Sequence, residues 1–456
     1  MAKSSSIAFV LWWMICATGC ASNSGPGAGL LALPSSFEDG TQPWLSPPPG
    51  NSRSEEDTLH VTLDQAVELA AARRPVTRAA EDRVLAAEAG SRQARAWRNP
   101  EAVMEIEGFG GDRPGLDEAE VTLGLAGGLD LFGRAAAGGR VADATAQMRR
   151  AERLTIHRQL SERVRRAFHD VLAAREQLRI ADMALDVARD TERAVRSEVA
   201  AGKTASLRGI QAETTLETAR IRHETARLRL NLARGGLSRL VEGAGAHPRP
   251  VAAVGELRST LPRLDAGTLA EEVISRHPGI ARELWMAEIQ NRRAHAIGRM
   301  RLPELGFSIG YRRNRAEDRS DWVGGLSVEL PLFDRKEGAV REAQRLRSAA
   351  REEAREATLI LTSELERALE ASRAAASLLK HYDGEVLPRA ARALRLARLG
   401  YTEGKFGYLD LTDAEDALVR SQGERTDALI DLDRALTDLD ILIGRTLPSP
   451  SDTPEE

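Results

Sequence analysis

The run LSERVRRAFHDVLAAREQLRIADMALDVA, residues 160–188, decides the fold. Leu160, Val164, Ala167, Val171, Ala174, Leu178, Ala181, Leu185 and Ala188 recur at spacings of four and three, with Arg, Glu, Asp and Gln filling most positions between. Two apolar positions in seven make the narrow seam of a coiled coil, and a strict seven-residue repeat implies a left-handed supercoil. At SEVAAGKTASLRGIQAE, residues 197–213, the pattern turns at Gly202. It then runs back through Leu216, Ala219, His223, Ala226, Leu230, Ala233, Leu237 and Leu240. Much of this seam is Ala, so two helix backbones can lie close. An ordinary helical bundle shares the periodicity. The duplication of the whole arrangement favours the coiled coil.

Pro75 recurs as Pro278 and Pro100 as Pro303, each 203 residues on. Gly202-Lys203 recurs as Gly404-Lys405 at an offset of 202. At that same offset Leu207, Ala212, Glu213 and Leu216 recur as Leu409, Ala414, Glu415 and Leu418. A repeat this long means two copies of one supersecondary unit, not a short-repeat solenoid. The organisation expected is therefore a leader at 1–19, a linker at 20–58, a first repeat at 59–243, an inter-repeat linker at 244–264, a second repeat at 265–447 and a disordered tail at 448–456.

The leader has Lys3, the apolar run Ile7–Ile15 and small residues before Cys20. That run is too short to span a bilayer as a helix and reads as an export signal. Net charge is −4, and no basic patch interleaved with aromatics calls for nucleic acid. Aromatics are only 4%, which fits thin helical seams better than one thick core.

Thr62 caps a helix expected over Thr62–Trp97, with Pro75 breaking or kinking it. Four extended segments follow the repeat, at 101–109, 119–132, 304–312 and 322–332. In the clearest of them Val121, Leu123, Leu125, Leu129 and Leu131 share one face, against Thr122, Gly124, Ala126, Gly128 and Asp130. About ten alternating residues suit a tilted transmembrane strand. Two hairpins have open edges that lipid does not tolerate, so several chains would have to close one barrel together. The alternative is two hairpins packed on helices in a soluble α+β protein. The helices Ala135–Ala200 and Ala339–Gly400, at 1.5 Å rise per residue, would each be roughly 90–100 Å long.

The eight His residues are scattered without ligand spacing, and no His/Cys/carboxylate cluster, phosphate loop or nucleophile elbow is present. Nothing points to an enzyme, a cofactor or a bound metal. His223, in the seam, reads as a packed or tunnel-facing side chain.

Two strand pairs, two very long helical hairpins and a Cys-terminated leader together resemble the TolC family of bacterial outer-membrane efflux proteins. The resemblance covers 59–447. It is carried by TLDQAVELAAARRP, QARAWRNPE, GLSVELPLFDRKEGAVREA and the tips AAGKTASLRGIQAE and TEGKFGYLDLTDAE. PLFDRKEG looks most like the branch serving heavy-metal RND pumps. The resemblance implies a mainly α fold with membrane β: four transmembrane strands per chain, and a homotrimer sharing a twelve-stranded barrel above a periplasmic helical tunnel. It implies a passive exit duct fed by an inner-membrane RND-type pump and a periplasmic adaptor, with Cys20 acylated and held in outer-membrane lipid. The adaptor would meet Gly202, Lys203, Leu207, Gly404, Lys405 and Leu409. Asp410 and Asp413, on one helix face, would ring the periplasmic aperture, and Tyr401 would help hold it shut. Arg208 stands where an acidic or polar partner is expected, and could pair with Asp410 or Asp413. The alternatives are type I protein secretion and a periplasmic coiled-coil adaptor, which would carry one hairpin rather than two.

Overall fold

The computed structural model describes residues 58–108, 119–202, 204–243, 249–315 and 317–447. The leader, Cys20, Lys203 and the tail lie outside the described residues, so the expectations placed on them gain no structural account.

The first repeat opens with β1 (Leu59–Val61), α1 (Leu63–Arg73) and α2 (Pro75–Ala94). Thr62 caps α1 in a reciprocal box: Gln65 N donates to the Thr62 hydroxyl, and Thr62 N donates to Gln65 Oε1. The helical stretch expected over Thr62–Trp97 divides at Pro75, where a break or kink was expected. Pro75 has no N–H to give and disfavours helical backbone at Arg74, so it serves instead as the first residue of α2. Then come β2 (Glu101–Glu107), β3 (Glu120–Leu129), α3 (Arg134–Ala200) and α4 (Ser206–Glu242). The second repeat follows the bridging strand β4 (Val251–Ala253) with α5 (Ala266–Arg276), α6 (Pro278–Met300), β5 (Glu304–Asn314) and β6 (Arg319–Glu329). Its hairpin is α7 (Glu337–His381), a π-turn at Tyr382–Val386, α8 (Leu387–Thr402) and α9 (Tyr408–Ile443).

α3 is one continuous helix of 67 residues, about 100 Å at 1.5 Å per residue. Its counterpart is helical over the whole of the expected Ala339–Gly400, with a π segment at Tyr382–Val386 inside it. Pro388 lacks the N–H that would bond back to Gly384, and its ring crowds that carbonyl, so the chain relaxes through a π-turn. Tyr382 and Asp383 at this turn reach α9 through Tyr382 Oη to Glu424 (3.3 Å) and Arg425 Nε to Asp383 (2.5 Å).

Strand ends differ from the sequence reading because turn chemistry sets them. β3 stops at Leu129 because Asp130 turns to accept hydrogen bonds from Arg134 N (2.7 Å) and Ala135 N (2.8 Å), opening α3. β5 and β6 extend to a tight connection between Asn314 and Arg319, so their ladder sits three residues earlier in β6 than the 322–332 expected.

All four long strands form one antiparallel sheet in the order β2-β3-β5-β6. The hairpins of the two repeats thus join through β3 and β5, where Gly124 faces Gly310. A Cβ on Gly124 would meet the Ile309 carbonyl at 2.6 Å, so glycine permits this close approach. Met104 pairs with Leu123, Leu123 with Tyr311, and Tyr311 with Trp322, giving one apolar face across four strands. That face is bare: Leu326 is 77% exposed and Trp322 76%.

The seam reading meets its structure in α3. Leu160, Val164, Val171, Ala174, Leu185 and Ala188 are buried, and Ala167, Leu178 and Ala181 half-buried. The broadest packing lies where the short helices flank the hairpins. One cluster joins Leu269 and Val273 of α5 to Leu365, Leu369, Leu432, Leu436 and Leu439. Another joins Val61 and Val251 to Phe168, Leu237 and Val241. β1 and β4 pair in parallel across the repeats, Leu59 opposite Val251. The inter-repeat segment is therefore a built part of the fold, with Leu257, Leu261 and Leu264 packed on the first cluster.

α6 starts at Pro278 and is capped by His277, whose Nδ1 accepts from Gly279 N at 3.2 Å. That acceptor must be unprotonated. Burial and the nearby Arg158 guanidinium push the His277 pKa down to about 4. The unfolded chain takes up this proton near pH 6.5 and the folded chain only near 4, so between these values unfolding binds protons and stability falls as pH falls. The expected loss is on the order of 2 kcal/mol by pH 4, after allowing for partial solvent exposure. A His277→Asn variant, which keeps a capping acceptor but does not titrate, should show a flatter denaturation midpoint across that range.

Candidate functional site: the hairpin tips

Each tip is a helix terminated by a left-handed glycine. Gly202 has φ +69° and Gly404 φ +73°, a conformation that costs a Cβ-bearing residue energy. Gly202 N donates to Val199 O at 3.0 Å and Gly404 N to Tyr401 O at 3.0 Å. The second tip is tightened further. Lys405 N and Phe406 N both donate to Gly400 O, and the Phe406 ring lies where a Cβ on Gly400 would stand. Lys405 pairs with Glu403 at 2.6 Å. Leu207 and Leu409, which start the return helices, are 62% and 63% exposed.

The two hairpins are fastened to each other just behind these tips. Tyr401 donates its hydroxyl to Glu198 of α3. Burial and that carboxylate push the Tyr401 pKa up to about 12, so the phenol stays a proton donor at any physiological pH. Tyr408 of α9 is buried against Val195 and Ala212 of the first hairpin. Glu415, buried, accepts from Thr191 at 2.7 Å and pairs with Arg398 at 3.3 Å. Arg208, which could pair with Asp410 or Asp413, lies within the chain over Tyr408 instead. Its guanidinium carbon lies 5.7 Å from the centroid of the Tyr408 ring, a cation–π contact that shares Tyr408's cover.

Asp410 accepts Gly407 N at 2.7 Å, so one carboxylate oxygen caps α9. Asp410 and Asp413 are both exposed on one face of that helix. Glu198, the hydrogen-bond partner of Tyr401, was missed by sequence reasoning. The signal was the duplication itself: Glu198 stands four before Gly202 and Tyr401 three before Gly404, nearly equivalent places in the two repeats. His223 also finds a partner, with Nε2 2.9 Å from Asp182 Oδ1 across the first hairpin. No group of three His, Cys, Asp or Glu residues among the described residues can hold a metal.

A second stripe on α4 escaped the sequence reading. Leu207, Ile210, Ile221, Leu228 and Leu232 are all at least 61% exposed. Thr214, Thr218 and Thr225 fill the steps between, each hydroxyl bonded back to a carbonyl four residues earlier. With those hydroxyls turned inward, the stripe is apolar for most of the helix, and none of the described residues covers it. No helix among the described residues is long and apolar enough to cross a membrane.

Solved structures share this fold. CusC, in a study of folding and transmembrane channel formation, superposes with a TM-score of 0.71 at 19% identity, over 87% of this chain and 95% of its own. The outer membrane protein VceC of Vibrio cholerae gives 0.69 at 18% identity, over 84% and 96%. Among characterised sequences, the cobalt-zinc-cadmium resistance protein CzcC of Cupriavidus metallidurans is 30% identical over 84% of this chain and 90% of its own length. The pyoverdine export outer membrane protein OpmQ of Pseudomonas aeruginosa is 28% identical over 71% of each. The profile of the family described as outer membrane efflux protein matches residues 66–242 and 269–445, one match to each repeat. Matched across both halves and in fold, the chain belongs to the outer membrane efflux protein family.

Proposed function

We propose that three copies of this chain form the outer-membrane exit duct of a tripartite efflux system, receiving substrate from an inner-membrane RND-type pump through a periplasmic adaptor. The observation that carries the reading is the four-stranded sheet with a bare apolar face and two unpaired edges. A third of a barrel is stable in lipid only when further copies close it. The uncovered stripe on α4 supports the same conclusion for the helical part. It needs a neighbour, and a helix of a second copy offers a seam of matching period. This chain carries no sequence motif for catalysis that would favour another activity. It is a passive conduit, and Cys20, once acylated, would add an anchor in the outer membrane.

The substrate class we favour is divalent metal cations. CzcC is named for resistance to cobalt, zinc and cadmium. The adaptor would engage the tips, with Gly202, Lys203, Leu207, Gly404, Lys405 and Leu409 in reach. Tyr401 and Glu198 hold the hairpins together in the closed state, assisted by Arg208 on Tyr408. Asp410 and Asp413 from three chains would place six carboxylates at the narrow end, where they concentrate cations. In planar bilayers, multivalent cations should therefore block single-channel current. Replacing Asp410 and Asp413 together by Ala should weaken that block about tenfold or more. Unchanged block would remove both residues from the aperture.

A further inference from the structure

Resting on the duct reading above for its consequence, we infer that the second hairpin carries a joint at the level of its π-turn, Tyr382–Val386. The part below bends about this joint, while the first hairpin stays straight. Three independent observations place it there.

The first is a change of offset between the repeats. Phe132 recurs as Phe333, and the buried seam residues Leu160, Val164 and Ala174 recur as Leu361, Leu365 and Ala375, each 201 residues on. Toward the tip, Leu185 recurs as Leu387, Arg196 as Arg398 and Gly202 as Gly404, each 202 residues on. The outward arm of the second hairpin therefore holds one extra residue between Leu379, the match of Leu178, and Leu387. In an α-helix one extra residue would turn everything beyond it by about 100° and carry the seam off its face. The π-turn lies in that interval and absorbs the residue. Leu394 and Ala397 are accordingly buried below it, as Leu379 is above.

The second is a pair of glycines at one level. Gly384 lies within the π-turn. Gly423 lies on α9 beside Glu424 and Arg425, which bond to Tyr382 and Asp383. A Cβ on either glycine would meet nothing within 4 Å, and neither glycine has positive φ. Packing and backbone therefore require neither, and each loosens its helix. The first hairpin marks the same level with its own rung, His223 to Asp182 at 2.9 Å, which matches Arg425 to Asp383. There it has no glycine or proline between Leu178 and Ala188, and Ile221 stands where Gly423 does.

The third is where α9 is held. From Ala428 to Ile443 all but Asp431, Arg434 and Asp438 are buried within the chain, whereas between Leu409 and Arg425 Glu415 is the one buried residue. Above the turn the hairpin is set in the core. Below it, Tyr401, Tyr408 and Glu415 hold it to the first hairpin. Losing those contacts frees a segment whose two arms are weak at one level, and the bonds of Tyr382 and Asp383 across the arms make them bend together.

Hydrogen–deuterium exchange of the full-length chain in detergent tests the joint. Corrected for intrinsic rates, amides at 383–387 and 422–425 should exchange about tenfold faster than those at the matching 182–185 and 220–223. Deleting Gly384 together with Pro388→Ala restores the spacing of the first hairpin and should remove the difference. Gly384→Ala with Gly423→Ala, which leaves the length of the arm unchanged, should reduce it about threefold. Equal rates in the unmodified chain, or a difference that survives both variants, overturns the joint. In planar bilayers, either variant should cut the gain in open probability brought by Tyr401→Phe by about threefold or more. An undiminished gain means that opening does not use the joint, and overturns the inference. An unmodified chain that conducts no current removes the duct reading instead, and the exchange rates still decide the joint.

Discussion

Replacing Arg258 with Ala should destabilise the folded chain by about 3–5 kcal/mol, the cost of stranding a buried charge without its partner. Arg258 stands on the segment between the repeats. Its Nε and backbone N each lie 3.1 Å from Asp433 Oδ1, its Nη1 2.8 Å from Asp440 Oδ2, and its Nη2 2.9 Å from Thr437 Oγ1. Asp433 and Asp440 are each 1% exposed. His169 of α3 completes the cluster with Nδ1 2.5 Å from Asp433, and Leu447 N donates to Asp440 at 2.7 Å. Burial alone would raise the Asp433 pKa, but the hydrogen bond from His169 and the charge of Arg258 pull it below the usual carboxylate range. At Asp440 burial wins, and the pKa is raised despite Arg258. One guanidinium thus ties the inter-repeat segment to the return helix of the second hairpin, and through Asp433 to the outward helix of the first. Arg258→Lys keeps the charge but cannot fork between two carboxylates, so an intermediate loss is expected. Adding Asp433→Asn and Asp440→Asn to Arg258→Ala should recover part of the loss. Thermal midpoints of the detergent-extracted protein read all three. An Arg258→Ala midpoint equal to that of the parent would mean the cluster carries no stability.

Tyr401→Phe should shift the duct toward its open state. It removes a hydrogen bond to a carboxylate, typically about 1.5–3 kcal/mol, and leaves Glu198 without its donor. One such bond per chain corresponds to roughly a tenfold or larger change in the ratio of open to closed states. Glu198→Gln keeps an acceptor but loses the charge, so a smaller shift in the same direction is expected. Arg208→Ala should act with Tyr401→Phe, because Arg208 lies over Tyr408 beside the Tyr401–Glu198 hydrogen bond. Open probability in planar bilayers at fixed voltage is the readout. No change for Tyr401→Phe would mean that this bond fastens the hairpins without closing the duct.

What could be read from the chain beforehand was whatever is written locally. The seam of α3, the tip glycines and the cap at Thr62 each depend on residues a few positions apart, and each is where spacing put it. The π-turn was readable too, since Pro388 sits inside the expected helix, but seam periodicity alone passes over a proline. The ends of β3 and β6 moved because Asp130 and the Asn314–Arg319 connection fix them, and turn chemistry outranks alternation. The distant pairings carried no such mark. β1 and β4 are three-residue strands that meet across an entire repeat, and Arg258 is one of many arginines until Asp433 and Asp440 close on it. At the tips, Tyr401 was placed by resemblance, whereas its partner Glu198 emerged only when the two repeats were brought face to face. The stripe on α4 was hidden by its threonines, which look polar in sequence and turn their hydroxyls back onto the helix.

The central claim is that one chain supplies a third of a closed cylinder. Light scattering of the detergent-extracted protein, corrected for bound detergent, measures it directly. Three chains per particle is the predicted result, and a particle holding one chain would contradict the account.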